Sequence, residues 1–312
     1  MRYGFYCPTR GGCATGKAVE AILAKGEALG FASTMIADHV VFPTRIDSKY
    51  PYTVSGDFPG GGDALDQLSL LAFAAGRTRA LRLCTSVMIL PYRNPVLTAK
   101  MLATIDVLSG GRVTVGVGVG WLREEFEALG SPDFDRRGSV SDEWIRIFKT
   151  LWTRSPVSFE GQFYRFGPLK CEPLPLQKPH PPIWIGGHSP AALRRVARLG
   201  DGWHPVGGIA AVPLRPAEMR ASLDELRRLT DKEGRDFGKL TISFKTPFYD
   251  TEIKDPEGRR PFSGTPDQIL EDVDTYGRLG VSELIFDCRT ERLDESLMRL
   301  ERFAALVQPV RS

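Results

Sequence analysis

Asp38 and His39 stand together at the end of a short apolar run, and histidine is the side chain most readily poised to carry a proton near neutrality. From position alone the pair supports either catalysis or a hydrogen-bonded structural histidine. A second stretch, Ile183-Trp184-Ile185-Gly186-Gly187-His188-Ser189-Pro190-Ala191-Ala192, reads as a strand, a glycine turn and a helix start. Ser189 would cap the helix and Pro190 would fill its first position, leaving the amides of Gly187, His188, Ala191 and Ala192 to face an anion such as a phosphate. A nucleophile elbow at Ser189 would need an amide on the next residue, and Pro190 has none. A capped helix that binds nothing is the plain alternative.

The third stretch runs from Arg112 to Trp121. Val113, Val115, Val117 and Val119 point one way, while Thr114, Gly116, Gly118 and Gly120 point the other, which gives a strand with one nearly bare face. Two readings explain such a face: a flat ring system that must approach the backbone, or a bulky neighbour accommodated inside the core. A dinucleotide fingerprint is excluded, because counting from Gly116 the sixth position is Trp121.

Elements that could position these residues alternate along the whole chain. Strand candidates are Tyr3 to Tyr6, Thr34 to Ala37, Leu81 to Leu90, Val113 to Val119, Ile183 to Ile185, Gly202 to His204, Leu240 to Thr246 and Leu284 to Asp287. Helical patterns fall between them; Ile145, Phe148, Leu151 and Trp152 share one face, and Ile269, Val273, Tyr276 and Leu279 another. Thr265, Pro266 and Gln268 spell a capping box at the start of the latter. Eight strand and helix pairs in 312 residues predict a single (β/α)8 barrel domain, spanning 1–312. Three connections exceed plain turns: Phe42 to Gly62, Ser155 to Pro182 with a hairpin around Gly161, and Pro247 to Gly264. The first and third open onto the mouth of such a barrel and are candidate lids, with surface insertion as the alternative.

Composition narrows the partners. A net charge of +3 with no basic stripe argues against nucleic acid, and no run approaches the roughly 18 apolar residues that suggest a membrane span. Five cysteines without a CxxC pair, and no leader pattern at Met1 to Arg10, predict a cytoplasmic protein without disulfides. His180, His188 and His204 are too scattered for a metal centre. A small molecule is the expected partner.

Together these pieces resemble the bacterial luciferase-like superfamily, in particular its deazaflavin-dependent oxidoreductase branch. The matching residues are Ala37-Asp38-His39, Thr85-Ser86-Val87, Asn94-Pro95-Val96, Leu108-Ser109-Gly110-Gly111-Arg112, Gly116-x-Gly118-x-Gly120-Trp121, Trp152 with the hairpin through Gly161 and Tyr164, Pro182 to Gly187, and Asp201-Gly202-Trp203. They cover nearly all of the first two thirds, and the last third is looser. The resemblance implies coenzyme F-420 (8-hydroxy-5-deazaflavin) in the barrel mouth, contacted by Asp38, His39, Ser86, Val87, Gly118 and Trp121. Its phosphate-bearing tail would lie on Gly186, Gly187, His188 and Ser189. In many members the peptide matching Ser86-Val87 is cis.

The resemblance also implies hydride transfer to or from a small organic substrate, with His39 as general acid or base and Asp38 fixing its orientation or touching the cofactor. The same fold hosts FMN-dependent monooxygenases that use reduced flavin and oxygen, which is the alternative. A barrel hydrolase and an inert flavin-binding protein are the readings from other classes. Related sugar-phosphate dehydrogenases carry an acid where this chain has Trp121, which argues against glucose-6-phosphate and leaves Glu124 as a polar candidate. Relatives are often dimers, so a homodimer is implied.

Overall fold

The computed structural model describes residues 1–61, 64–248 and 250–307. Eight strands, β1 (Arg2–Tyr6), β2 (Ser33–Ile36), β3 (Arg82–Ile89), β4 (Val113–Gly118), β5 (Ile183–Gly186), β6 (Gly202–His204), β7 (Thr241–Pro247) and β8 (Glu283–Asp287), close into a barrel. Each pairs in parallel with its neighbours in sequence, and β8 returns to β1. All eight coincide with the predicted runs to within a residue or two. The helices are α1 (Gly16–Ala28), α2 (Gln67–Arg77), α3 (Pro95–Ser109), α4 (Arg123–Ala128), α5 (Arg137–Thr153), α6 (Pro190–Leu199), α7 (Pro216–Lys232), α8 (Pro266–Leu279) and α9 (Leu293–Val307).

Strand alternation separates an outer layer of the core from one inside the barrel, and Ile89, Tyr92 and Phe126 form a third group at the mouth. Val113, Val115 and Val117 of β4 join the large apolar layer beneath the helices, with Leu102, Ile145 and Phe148. Inside the barrel, Tyr6, Met35, Cys84, Trp184 and Ile285 form a smaller cluster of their own. Local signals set the helix ends. The Thr265 hydroxyl accepts from the Gln268 amide while the Gln268 side chain accepts from the Thr265 amide, and Gly280 ends α8 in the left-handed region at φ 106°.

The long connections differ from one another. Val157–Glu160 pairs antiparallel with Arg165–Leu169, the hairpin expected around Gly161. The stretch 42–61 has no regular structure and holds Tyr50, Tyr52 and Phe58; Gly62, the end of the predicted loop, lies outside the described residues. Between β7 and α8 a two-residue ladder joins Lys254–Asp255 to Gly258–Arg259. No helix among the described residues is long and apolar enough to cross a membrane.

Candidate active site

The carboxyl ends of the strands gather the residues that carry chemistry. His39 follows β2, and its Nδ1 lies 2.8 Å from a carboxylate oxygen of Glu125, in α4, 86 positions away in sequence. That carboxylate is fully buried and also accepts from the amides of Val40 (2.7 Å) and Val41 (3.2 Å) and from the Tyr92 hydroxyl (2.8 Å). Burial alone would raise the Glu125 pKa, but His39 and these donors hold it below the usual range. A carboxylate only accepts, so Nδ1 donates the hydrogen, and in the neutral ring Nε2 keeps its lone pair. Nε2 takes part in no hydrogen bond among the described residues, and the ring is walled by Phe42, Phe58 and Trp121.

Asp38 does not orient His39, the first of the two roles expected of it. Its buried carboxylate is clasped by both terminal nitrogens of Arg93, each at 2.8 Å, and accepts from the Ile89 amide at 2.9 Å. Arg93 also reaches Asp66, which caps α2, so Asp38 ties β2 to β3 and α2. Glu124 is likewise committed elsewhere. It accepts from the amides of Asp47 and Ser48 and from the Ser48 hydroxyl, and although burial pulls the other way these bonds hold its pKa at about 2. It therefore anchors the 42–61 loop, while its neighbour Glu125 serves the histidine.

The bare face of β4 has a different cause from an approaching ring. The register of β3 against β4 shifts between Thr85 and Met88, and the Ser86–Val87 peptide within the shift is cis. A Cβ on Gly116 would overlap the Thr85 carbonyl oxygen, one on Gly118 would come within 2.6 Å of Val87, and one on Gly186 within 2.9 Å of it. The glycines of β4 and β5 thus make room for the bulge of β3, and Val87 rather than glycine backbone forms this wall.

Beneath the bulge runs a closed hydrogen-bonded chain. Tyr6 Oη bonds Ser86 Oγ, Ser86 Oγ lies 2.8 Å from His204 Nε2, and His204 Nδ1 lies 2.6 Å from Ser243 Oγ, which donates to the Trp203 carbonyl. One assignment satisfies every group: Tyr6 donates to Ser86, Ser86 to Nε2, and Nδ1 to Ser243. Burial, then the nearby Lys245, pushes the His204 pKa down to about 3, so the imidazole is neutral. His204 supports the bulge and has no lone pair to spare.

Beside the bulge a cavity of about 370 Å³ is lined by Gly118, Gly186, Gly187, Ser189, Arg137 and Arg195, among others. Ser189 caps α6 by accepting from the Ala192 amide, and Pro190 opens the helix, as the sequence predicts. Gly187 turns at φ 86°. Arg195, on α6 itself, is paired with Asp142, and Arg137, at the start of α5, stacks on Phe134; both line the cavity, together with Asp135. His188 is exposed and not among the lining residues. Trp121 sits instead in an aromatic group with Tyr50 and Phe58, at ring separations of 5.0 and 5.2 Å. The donor set, amides at a helix start with two arginines, fits the acidic tail of a flavin-type cofactor. Glu125, Arg137 and Arg195 escaped the sequence reading, since in one dimension each is an ordinary charge on a helix. No group of three or more His, Cys, Asp and Glu among the described residues could hold a metal ion.

The chain is a closed parallel (β/α)8 barrel with charged and aromatic residues gathered at the carboxyl ends of its strands. The chain belongs to the luciferase-like monooxygenase family, whose model matches residues 1–255. It is 40% identical over 152 residues to an FMNH2-dependent dimethylsulfone monooxygenase of Pseudomonas putida, a match covering 48% of this chain and 40% of the relative. In fold it is similar to a monooxygenase from Streptomyces bottropensis, with a TM-score of 0.78, 23% identity and 99% of each chain covered. It is also similar to an F420-dependent secondary alcohol dehydrogenase solved with an F420-acetone adduct, with a TM-score of 0.76, 14% identity, and 100% of this chain and 99% of that one covered.

Proposed function

We propose that this chain transfers a hydride between coenzyme F-420 and a small organic substrate held in the barrel mouth, with His39 moving the accompanying proton. The observation that carries this reading is the His39–Glu125 pair: one ring nitrogen is fixed by a buried carboxylate and the other makes no hydrogen bond among the described residues. When bound, the deazaflavin supplies two-electron hydride chemistry. Gly186 to Ser189, with Arg137 and Arg195, would hold its acidic tail, and Val87 would back its ring. His39 Nε2 takes a hydroxyl proton as an alcohol is oxidised, and Glu125 stabilises the positive charge that develops on the imidazole. In the reverse direction the same nitrogen returns the proton. Tyr50, Phe58 and Trp121 limit water around it.

A second reading, oxygenation with reduced FMN, is favoured by the 40% identity to the dimethylsulfone monooxygenase. Titration of the purified protein with F-420 and with FMN, followed by reduction under air, separates the two. Tighter F-420 binding and no oxygen uptake are expected. Preferential FMN binding with oxygen consumption would establish the second reading. In either case His39→Ala should lower turnover by about 10² to 10⁴ and leave cofactor affinity unchanged.

A further inference from the structure

Across the mouth from the cofactor cavity, the ends of β1, β7 and β8 bring together three cations with a single carboxylate, Asp287, among them. Lys245 Nζ stands 3.8 Å from the centroid of the Tyr6 ring, and the Arg289 guanidinium lies 4.8 Å from the same centroid. Asp287 is clasped by Arg289 at 2.6 and 2.7 Å, so its carboxylate is taken. The Lys245 ammonium makes no hydrogen bond or ion pair among the described residues; its contact is with the Tyr6 ring. Arg10, following β1, packs over Phe58 at 5.0 Å, and its Nη1 is buried without a hydrogen-bond partner. Glu291, on the same rim, gives its carboxylate to the Gly12 amide. Three positive groups therefore face one committed carboxylate, inside walls built from Tyr6, Tyr50 and Phe58.

Nothing in the packing calls for this charge. A buried guanidinium nitrogen without a partner costs stability, and an apolar side chain at Lys245 would lie on Tyr6 at least as well. Burial, with Arg289 adding to it against Asp287, lowers the Lys245 pKa to about 8, and burial together with Arg289 lowers that of Arg10. Burial raises that of Tyr50, which keeps its phenol protonated as a further donor. A bound anion would relieve each of these costs. Phe58 separates Arg10 from His39, with its ring centroid 5.4 Å from the imidazole, so a molecule held by the cations reaches the proton carrier across the width of one aromatic side chain.

We propose that Arg10, Lys245 and Arg289 form a subsite for an anionic head group, and that the substrate is a small organic acid with an apolar or aromatic body. That the occupant is the substrate rests on the oxidoreductase reading above. The anion site itself does not. The head group could be a carboxylate, a sulfonate or a phosphate, all of which pair with arginine and lysine.

Calorimetric titration with benzoate, benzenesulfonate, phenyl phosphate and uncharged benzyl alcohol tests the subsite. At least one anion is expected to bind about tenfold or more tightly than the alcohol, and the preferred anion identifies the head group. Lys245→Met and Arg10→Gln should each weaken that anion by about tenfold while melting at or above the temperature of the parent protein, and Lys245→Arg should restore binding. Equal binding of benzyl alcohol, or undiminished anion binding in both variants, would overturn the proposal. So would a parallel loss of F-420 or FMN affinity in the variants, because the cations would then serve the cofactor. Failure of the parent protein to bind either cofactor would sink the redox reading and leave the benzoate comparison to decide the subsite.

Discussion

The two ends of the barrel both enclose charge, and they treat it in opposite ways. At the amino end Glu283 is fully buried, accepts from the Ser33 hydroxyl at 2.5 Å, bonds Arg82 and lies 3.3 Å from Arg2. Arg82 also packs over the Trp184 ring at 5.1 Å. Every charge there has a partner. At the carboxyl end β1, β7 and β8 supply Tyr6, Lys245 and Asp287, and a buried guanidinium nitrogen of Arg10 is left without a partner. Glu283 and Asp287 are four residues apart on one face of β8, so the contrast arises within one strand. At the amino end each charge has an opposite partner; at the carboxyl end a buried guanidinium nitrogen has none, which is what the proposed anion subsite would require.

The largest effect is expected at the closed end. Glu283→Ala strands Arg82 without its carboxylate and should lower the stability measured in urea by about 3 to 5 kcal/mol, with anion binding at the mouth unchanged. If stability held, the amino end would not be the compensated pair described above.

Next come the adjacent glutamates of α4. Glu125→Gln should reduce turnover by about 10- to 100-fold, because the imidazole loses the buried carboxylate that fixes its tautomer and supports its charge, and should shift the pH profile of kcat. Glu124→Gln should leave that profile in place and change KM through the 42–61 loop. An identical response from both would remove the division of labour between them.

Acid unfolding probes Asp287. Burial pushes its carboxyl up, but Arg289 and Lys245 hold it at about 2, below the ordinary 3.8. A depressed carboxyl stabilises the folded state above its unfolded pKa and loses that contribution as pH falls through its folded value. About 2 kcal/mol should therefore disappear between pH 3.8 and 2, a component absent from Asp287→Asn.

The smallest effect belongs to Lys245→Met, which should raise stability at neutral pH by about 1 kcal/mol. Because the folded pKa of Lys245, about 8, lies below the ordinary 10.5, the cost of its charge is present below pH 8 and relieved as pH rises from there to 10.5. The advantage of methionine should shrink over that window, and a constant advantage would assign the gain to packing. Destabilisation at neutral pH would show that the open end is compensated after all.

What the sequence made legible was local. Short apolar runs marked all eight strands, with a period of two legible in Val113 to Val119, and Thr265, Pro266 and Gln268 announced α8 through bonds spanning three residues. Ser189 and Pro190 announced α6 in the same way. The site depends on contacts that periodicity cannot carry. His39 meets Glu125 across 86 positions, and nothing in Glu124-Glu125 tells which of the two turns toward the histidine. The β4 glycines were conspicuous, yet their cause lay on another strand, at Thr85 and Val87. Asp38 looked available because its partner, Arg93, lies 55 residues on.

The seating of Val87 in the space left by Gly118 and Gly186 has an evolutionary corollary. Because Val87 occupies the room that both glycines vacate, the three positions are coupled: a side chain cannot be gained at Gly118 or Gly186 unless Val87 is trimmed, so drift at this wall has to proceed by paired rather than single exchanges.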